Sequence, residues 1–125
     1  MPRLTLPFLS VIAAISLLVP AAAAQDFNAR IRALNLARNT AISLNGGLSN
    51  YVPERCMFNS EITEGACLIL WDQSGFYFRF VGGDPGWEAL GHAPEVETQI
   101  QIAPDGLSVV SIEYNGPLTN TPPAP

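Results

Sequence analysis

One stretch constrains the fold of this chain more than any other: residues 66–81, ACLILWDQSGFYFRFV. Two runs of apolar and aromatic residues flank Asp72-Gln73-Ser74-Gly75. Asp at the first turn position accepts hydrogen bonds from the turn's own backbone, and Gly at the fourth tolerates positive φ and can form a bulge. The stretch therefore reads as a β-hairpin. Closing it on Asp72 and Phe76 sets Trp71 opposite Tyr77, Leu70 opposite Phe78, Ile69 opposite Arg79 and Leu68 opposite Phe80. Because side chains alternate between sheet faces, Leu68, Leu70, Phe76, Phe78 and Phe80 form one uniformly apolar face, the expected core. Cys67, Ile69, Trp71, Tyr77, Arg79 and Val81 form the other. That second face is amphipathic, with two aromatic rings across from each other and an arginine within reach of one of them. Either another part of the chain covers it, or it is an exposed patch with a partner.

A helix precedes the hairpin. Asp26 can cap its start. Phe27, Ile31, Leu34, Ala41 and Leu44 then recur at helical spacing, with Ala37 or Arg38 between. Asn45-Gly46-Gly47 supplies a stop. The pattern predicts one amphipathic helix over residues 27–44. Residues 48–58 are extended, but Pro53 lacks a donor N–H and confines any strand there to an edge. Beyond the hairpin, residues 82–95 form a long Gly- and Pro-rich connection pinned by Trp87 and Leu90. Residues 96–102 alternate strictly: Val96, Thr98, Ile100 and Ile102 on one face, Glu97, Gln99 and Gln101 on the other. Ala103-Pro104-Asp105-Gly106 is a second turn. Closing it on Ala103 and Leu107 puts Ile100 opposite Val110, Thr98 opposite Ile112, Val96 opposite Tyr114 and Glu97 opposite Glu113.

The first 24 residues have the form of an export signal, with Arg3, an apolar run, and small residues before Gln25. A retained membrane anchor is the competing reading; Pro20 and the alanine run favour cleavage, and no later segment is apolar enough to span a bilayer. Residues 25–125 hold five arginines against eleven acidic residues, a net charge of −6. No basic stripe exists to neutralise phosphates, so nucleic acid is not an expected partner. In an exported chain, Cys56 and Cys67 read as a disulfide, worth about 2–3 kcal/mol by loop entropy. Residues 25–116 form the domain, and the Pro-rich residues 117–125 read as a disordered tail. The expected localisation is periplasmic or extracellular.

One helix followed by two hairpins packs most economically as a four-stranded antiparallel sheet with the helix across one face, an α+β two-layer domain. At fold level this resembles cystatin-like and PepSY-like modules, although the glutamine-valine-glycine loop of cystatins is absent. The run Asn45-Gly46-Gly47-Leu48-Ser49-Asn50-Tyr51, with Cys56-Met57-Phe58 behind it, resembles small exported cyanobacterial proteins of uncharacterised function. That resemblance spans about fifteen residues and implies no activity.

Candidate chemistry is sparse. Asp84, Glu88 and His92 are spaced by four, which on a helix would gather three metal-capable groups, but Gly86, Gly91 and Pro94 end any helix there. Glu97 and Glu113, facing each other, could act as the carboxylate pair of a retaining glycosidase or hold Ca²⁺. No nucleophile elbow and no phosphate-binding loop is present. The sequence therefore points to a non-enzymatic exported domain, without a cofactor, that binds a protein or envelope component through Ile69, Trp71, Tyr77 and Arg79. Trp, Tyr and Arg are the usual energetic anchors of interfaces. A small hydrolase or metal protein using Glu97 and Glu113, and a peptidase inhibitor, are the alternatives.

Overall fold

The computed structural model describes residues 21–61 and 63–119, together with 2, 3, 5 and 7, and only the backbone of 21–26. The export segment expected at 1–24 thus lies largely outside the described residues, as do the Asp26 side chain and most of the tail expected at 117–125, of which Pro117 ends the last strand. The fold is α+β, with one helix and an antiparallel sheet. Helix α1 spans Ala21–Leu44, followed by strands β1 (Val52–Pro53), β2 (Leu68–Asp72), β3 (Gly75–Gly83), β4 (Val96–Ile102) and β5 (Val109–Pro117). Among the described residues, no helix is long and apolar enough to cross a membrane.

The sequence predicts four strands, and five are present among the described residues. The sheet runs β1-β3-β4-β5, and β2 also pairs with β3. Strand β1 pairs with Gly82 and Gly83 at one end of β3, while β2 pairs with residues 75–78 at the other. Both therefore share one edge of β3. Pro53 sits in this two-residue edge strand, where a missing N–H is tolerated.

The helix buries a different stripe from the one its large residues suggest. Ala29, Ala33, Ala37 and Ala41, spaced by four, are almost fully buried, along with Leu34, whereas Phe27 and Leu44 are half exposed. The sheet contributes Leu68, Phe76, Phe78, Phe80, Ile100 and Ile102 to the same core. Bulky rings on the sheet leave room only for small side chains on the helix, so an alanine ladder brings the two layers together. The turn between β4 and β5 docks directly on α1. Gly106 has φ +73°, and a Cβ there would lie 2.4 Å from the Ala29 carbonyl oxygen. Arg32 Nε and Nη2 donate to the Asp105 carbonyl at 3.0 and 2.8 Å beside it.

The helix stops where its sequence says it should. The Gly47 N–H donates to the Ile42 carbonyl at 2.8 Å and Gly46 to Ser43 at 3.4 Å, the paired bonds of a Schellman ending. Asn45 then reaches Asn115 on β5 at 3.1 Å, and Asn115 Oδ1 accepts from the buried Thr98 hydroxyl at 2.8 Å. This polar chain ties the C-terminus of α1 to the sheet without leaving Thr98 unsatisfied.

Candidate binding face

A tight turn and three register shifts, one in β2 and two in β5, decide which side chains reach the sheet face opposite α1. The central hairpin closes on Asp72 and Gly75, not Asp72 and Phe76. The Ser74 N–H donates to Asp72 Oδ1 at 2.7 Å, the local bond that holds this tighter turn. Trp71 then pairs with Phe76, Leu70 with Tyr77 and Leu68 with Phe78, with the ladder irregular between Leu68 and Leu70. Ile69 is the extra residue of that bulge.

The expected face of Ile69, Trp71, Tyr77 and Arg79 is therefore not one surface. Trp71 lies on the core side, its ring stacked on Phe76 with centroids 4.9 Å apart. Ile69 is exposed at the bulge, and Leu70, expected in the core, is 44% exposed. Cys67, expected on the second face, is fully buried. Tyr77 and Arg79 do project together on the face away from the helix, half-buried.

Cross-strand pairing gives the rest of that outer face. One row runs Leu70, Tyr77, Gln101 and Ser111; the next runs Arg79, Gln99 and Tyr114; the third runs Val81, Glu97 and Gly116. Gln99 and Gln101 were legible from the alternation of β4. Leu70 and Tyr114 were not, because bulges in β2 and β5 put them there.

Glu97 is the one buried charge of this face. It is 3% exposed. Arg79 Nη2 lies 3.3 Å from Oε1, Gln99 donates to Oε2 at 2.7 Å, and the Thr119 hydroxyl lies 2.9 Å from both oxygens. Burial works to raise this carboxyl, but the bonds from Gln99, Thr119 and Arg79 and the arginine's charge outweigh it and hold the group below its ordinary range.

Glu97 and Glu113 do not face each other. Glu97 pairs with Gly116 across the sheet, because β5 is irregular twice, opposite Gln99/Ile100 and opposite Gln101/Ile102. Val110 and Glu113 are the two extra residues. Glu113 instead accepts a bond from the Ser111 hydroxyl on its own strand. The carboxylate pair that a glycosidase or Ca²⁺ reading requires is absent at these positions.

Asp84, Glu88 and His92 are all exposed in a run of turns. Glu88 Oε1 accepts from the Arg55 N–H at 2.7 Å, so it caps the neighbouring 3-10 turn, Arg55–Phe58. Among the described residues, the metal-capable group drawn together is a different one, Glu54, Cys56 and Cys67, whose ligand atoms lie within 4.8 Å of one another. The two cysteines are joined as the expected disulfide. Burial raises the Glu54 carboxyl above its ordinary range against the lowering effect of the Val81 N–H, with Glu88 adding to the rise. Tyr51 fills the space above Gly82, where any Cβ would meet its ring at 2.3 Å. Burial pushes the Tyr51 hydroxyl up to about 12, so it stays neutral in the core. A shallow depression on the outside of α1, lined by Leu36, Asn39, Thr40, Ser43 and Leu44, carries no titratable group.

The chain matches no protein-family model, no curated protein and no solved structure.

Proposed function

We propose that this protein is a non-enzymatic, exported, disulfide-stabilised domain that binds a folded protein partner of the cell envelope through the outer face of its sheet. The observation that carries the reading is the amphipathic character of that face. Leu70 and the half-buried Tyr77 and Tyr114 supply apolar contact at low entropy, while Gln99, Gln101 and Ser111 supply adaptable hydrogen bonding. Tyrosine rings among short polar groups are the composition of adaptable recognition surfaces. Arg79 and Glu97 neutralise each other at 3.3 Å, which disfavours a highly charged polymer as the ligand.

Both outer strands favour a face-on partner over an added strand. The β2 edge is bulged at Ile69 and the β5 edge at Val110 and Glu113. Bulges on edges blunt them as templates for further pairing. The layer plan, one helix across an antiparallel meander, supports a likeness to cystatin-like and PepSY-like modules in arrangement alone.

The test is capture from envelope extract by the oxidised protein and by its Tyr77→Ala and Phe27→Ala variants, with folding of each checked by circular dichroism. A protein retained by the wild type and by Phe27→Ala, and lost with Tyr77→Ala, supports the reading. Equal retention by all three removes it.

A further inference from the structure

We propose that Glu54, Cys56 and Cys67 become a zinc-class metal site when the disulfide is reduced, with two thiolates and one carboxylate around a single divalent cation and water in the fourth position. This uses no residue of the outer sheet face and stands apart from the binding reading.

The first observation is proximity. One ligand atom from each residue already lies within 4.8 Å of the other two. A tetrahedral zinc ion with sulfur at about 2.3 Å and oxygen at about 2.0–2.2 Å needs its ligand atoms about 3.5–3.8 Å apart. Opening the S–S bond moves the sulfurs toward that separation, and a modest approach of the carboxylate completes it.

The second observation is that bonds independent of the S–S bridge hold all three residues. Glu54 exchanges two bonds with Val81: its N–H donates to the Val81 carbonyl, and the Val81 N–H donates to Oε1, both at 2.9 Å. The Cys67 carbonyl accepts from the Arg79 N–H at 2.9 Å. Cys56 is followed by Met57, which is fully buried; the Met57 N–H donates to Glu54 at 3.0 Å and its carbonyl accepts from Arg38 Nη1 at 3.1 Å. Reduction frees the sulfurs while these backbone anchors remain.

The third is the second shell. A ligating carboxylate works best when one oxygen is fixed by a hydrogen bond, and the Val81 N–H does this at Oε1, leaving Oε2 for the ion. Two thiolates beside Glu54, with Glu88 adding to the local negative charge, make a site that favours a cation. Thiolate ligands select zinc or copper(I) over magnesium or calcium.

The reaction balances with an external dithiol as reductant. Its two thiols become a disulfide, and two electrons and two protons pass to Cys56 and Cys67. Binding of Zn²⁺ then releases the two thiol protons. Exchange with an external disulfide, which takes up the two electrons and two protons and leaves as two thiols, rebuilds the S–S bond and expels the ion, so oxidation state gates the site.

The experiment is a zinc titration of the full chain, reduced with a phosphine, against a chromophoric chelator, beside the oxidised chain. Circular dichroism is recorded for every sample. One zinc per reduced chain and none per oxidised chain is the expected result. Glu54→Gln should weaken binding at least about tenfold, the scale lost even with an outer-shell partner, and Glu88→Gln, which removes neighbouring charge but no ligand, should weaken it by less. Glu54→Asp, which keeps the charge but withdraws the carboxylate, should fall between. Cobalt in place of zinc should show a thiolate charge-transfer band that Cys56→Ser diminishes. Absence of zinc binding by the reduced chain, equal binding by the oxidised chain, or equal affinity in Glu54→Gln, folded or not, overturns the proposal.

Discussion

Arg79 on β3 and Glu97 on β4 form an ion pair at 3.3 Å on the sheet face that α1 does not cover, with the carboxylate almost wholly withdrawn from water. They are diagonal neighbours, since Arg79 pairs directly with Gln99 and Glu97 with Val81. Thr119 closes over the same carboxylate, its hydroxyl 2.9 Å from each oxygen. The segment after β5 thereby folds back onto the face it leaves. Removing one partner of such a pair leaves the other incompletely satisfied. Glu97→Ala is expected to destabilise the protein by about 1–3 kcal/mol, read as a lower urea midpoint. Thr119→Ala should have a smaller effect in the same direction. A double-mutant cycle with Arg79→Ala should show a favourable coupling; strict additivity would count against the pair.

The two perturbed carboxyls give opposite pH signatures. Glu97 is held low in the folded state, so it binds fewer protons folded than unfolded. Its contribution to stability is present above the unfolded carboxyl value of about 4.3 and is lost as pH falls through its folded value. Glu54 is raised by burial, so it binds more protons folded than unfolded. Its contribution runs the other way and diminishes as pH rises from the unfolded value through the folded one. Glu54→Gln keeps an oxygen for the Val81 N–H while removing the buried charge. It should be at least as stable as the parent at pH 7, with any advantage shrinking toward pH 4. Thermal melts across that range check it; a variant less stable at pH 7 than at pH 4, relative to wild type, would contradict the assignment.

Trp71 and Tyr77 show how far the sequence could be read and where it failed. Alternation identifies the hairpin and four of its five expected core residues, Leu68, Phe76, Phe78 and Phe80, whereas Leu70 is exposed; Leu68 stays buried because the bulge at Ile69 offsets the tighter turn. It cannot place Trp71, because the face that a residue takes depends on a turn one residue tighter than expected. Bulges separate Glu97 from Glu113: β5 absorbs two extra residues, and no local pattern in 107–117 announces either one. The cysteine pairing was legible because only two cysteines exist. The Glu54 group was not, since it needs β1 laid against the far end of β3.

That placement makes the two rings separable by experiment. Trp71→Ala removes a ring stacked on Phe76 at the margin of the core and should destabilise the protein by about 1–3 kcal/mol, less than a fully buried aromatic. Tyr77→Ala removes a half-buried ring on the outer face and should shift stability by less than about 1 kcal/mol. Chemical denaturation of the two variants side by side decides the matter. Equal losses would mean that Tyr77 is structural and is not a spare ring for a partner.

The alanine ladder makes the sharpest stability prediction, because it contradicts hydrophobicity scales. Ala33 and Ala37 are fully buried against a sheet already filled by Phe76, Phe78 and Phe80. Replacing either with leucine improves the apolar pattern of α1 and its helix propensity hardly changes. The added methylenes nevertheless have no space, since Gly106 already sits where a Cβ would lie 2.9 Å from the Ala33 nitrogen. Ala33→Leu should therefore lower stability by about 1–3 kcal/mol through overpacking. Asn39→Leu, on the exposed side of the same helix, adds a comparable side chain without that penalty and should be close to neutral. If Ala33→Leu proved stabilising and Asn39→Leu did not, the close approach of α1 to the β4–β5 turn would have to be abandoned, and with it the reason that this helix buries a stripe of alanines while Phe27 and Leu44 stay half exposed.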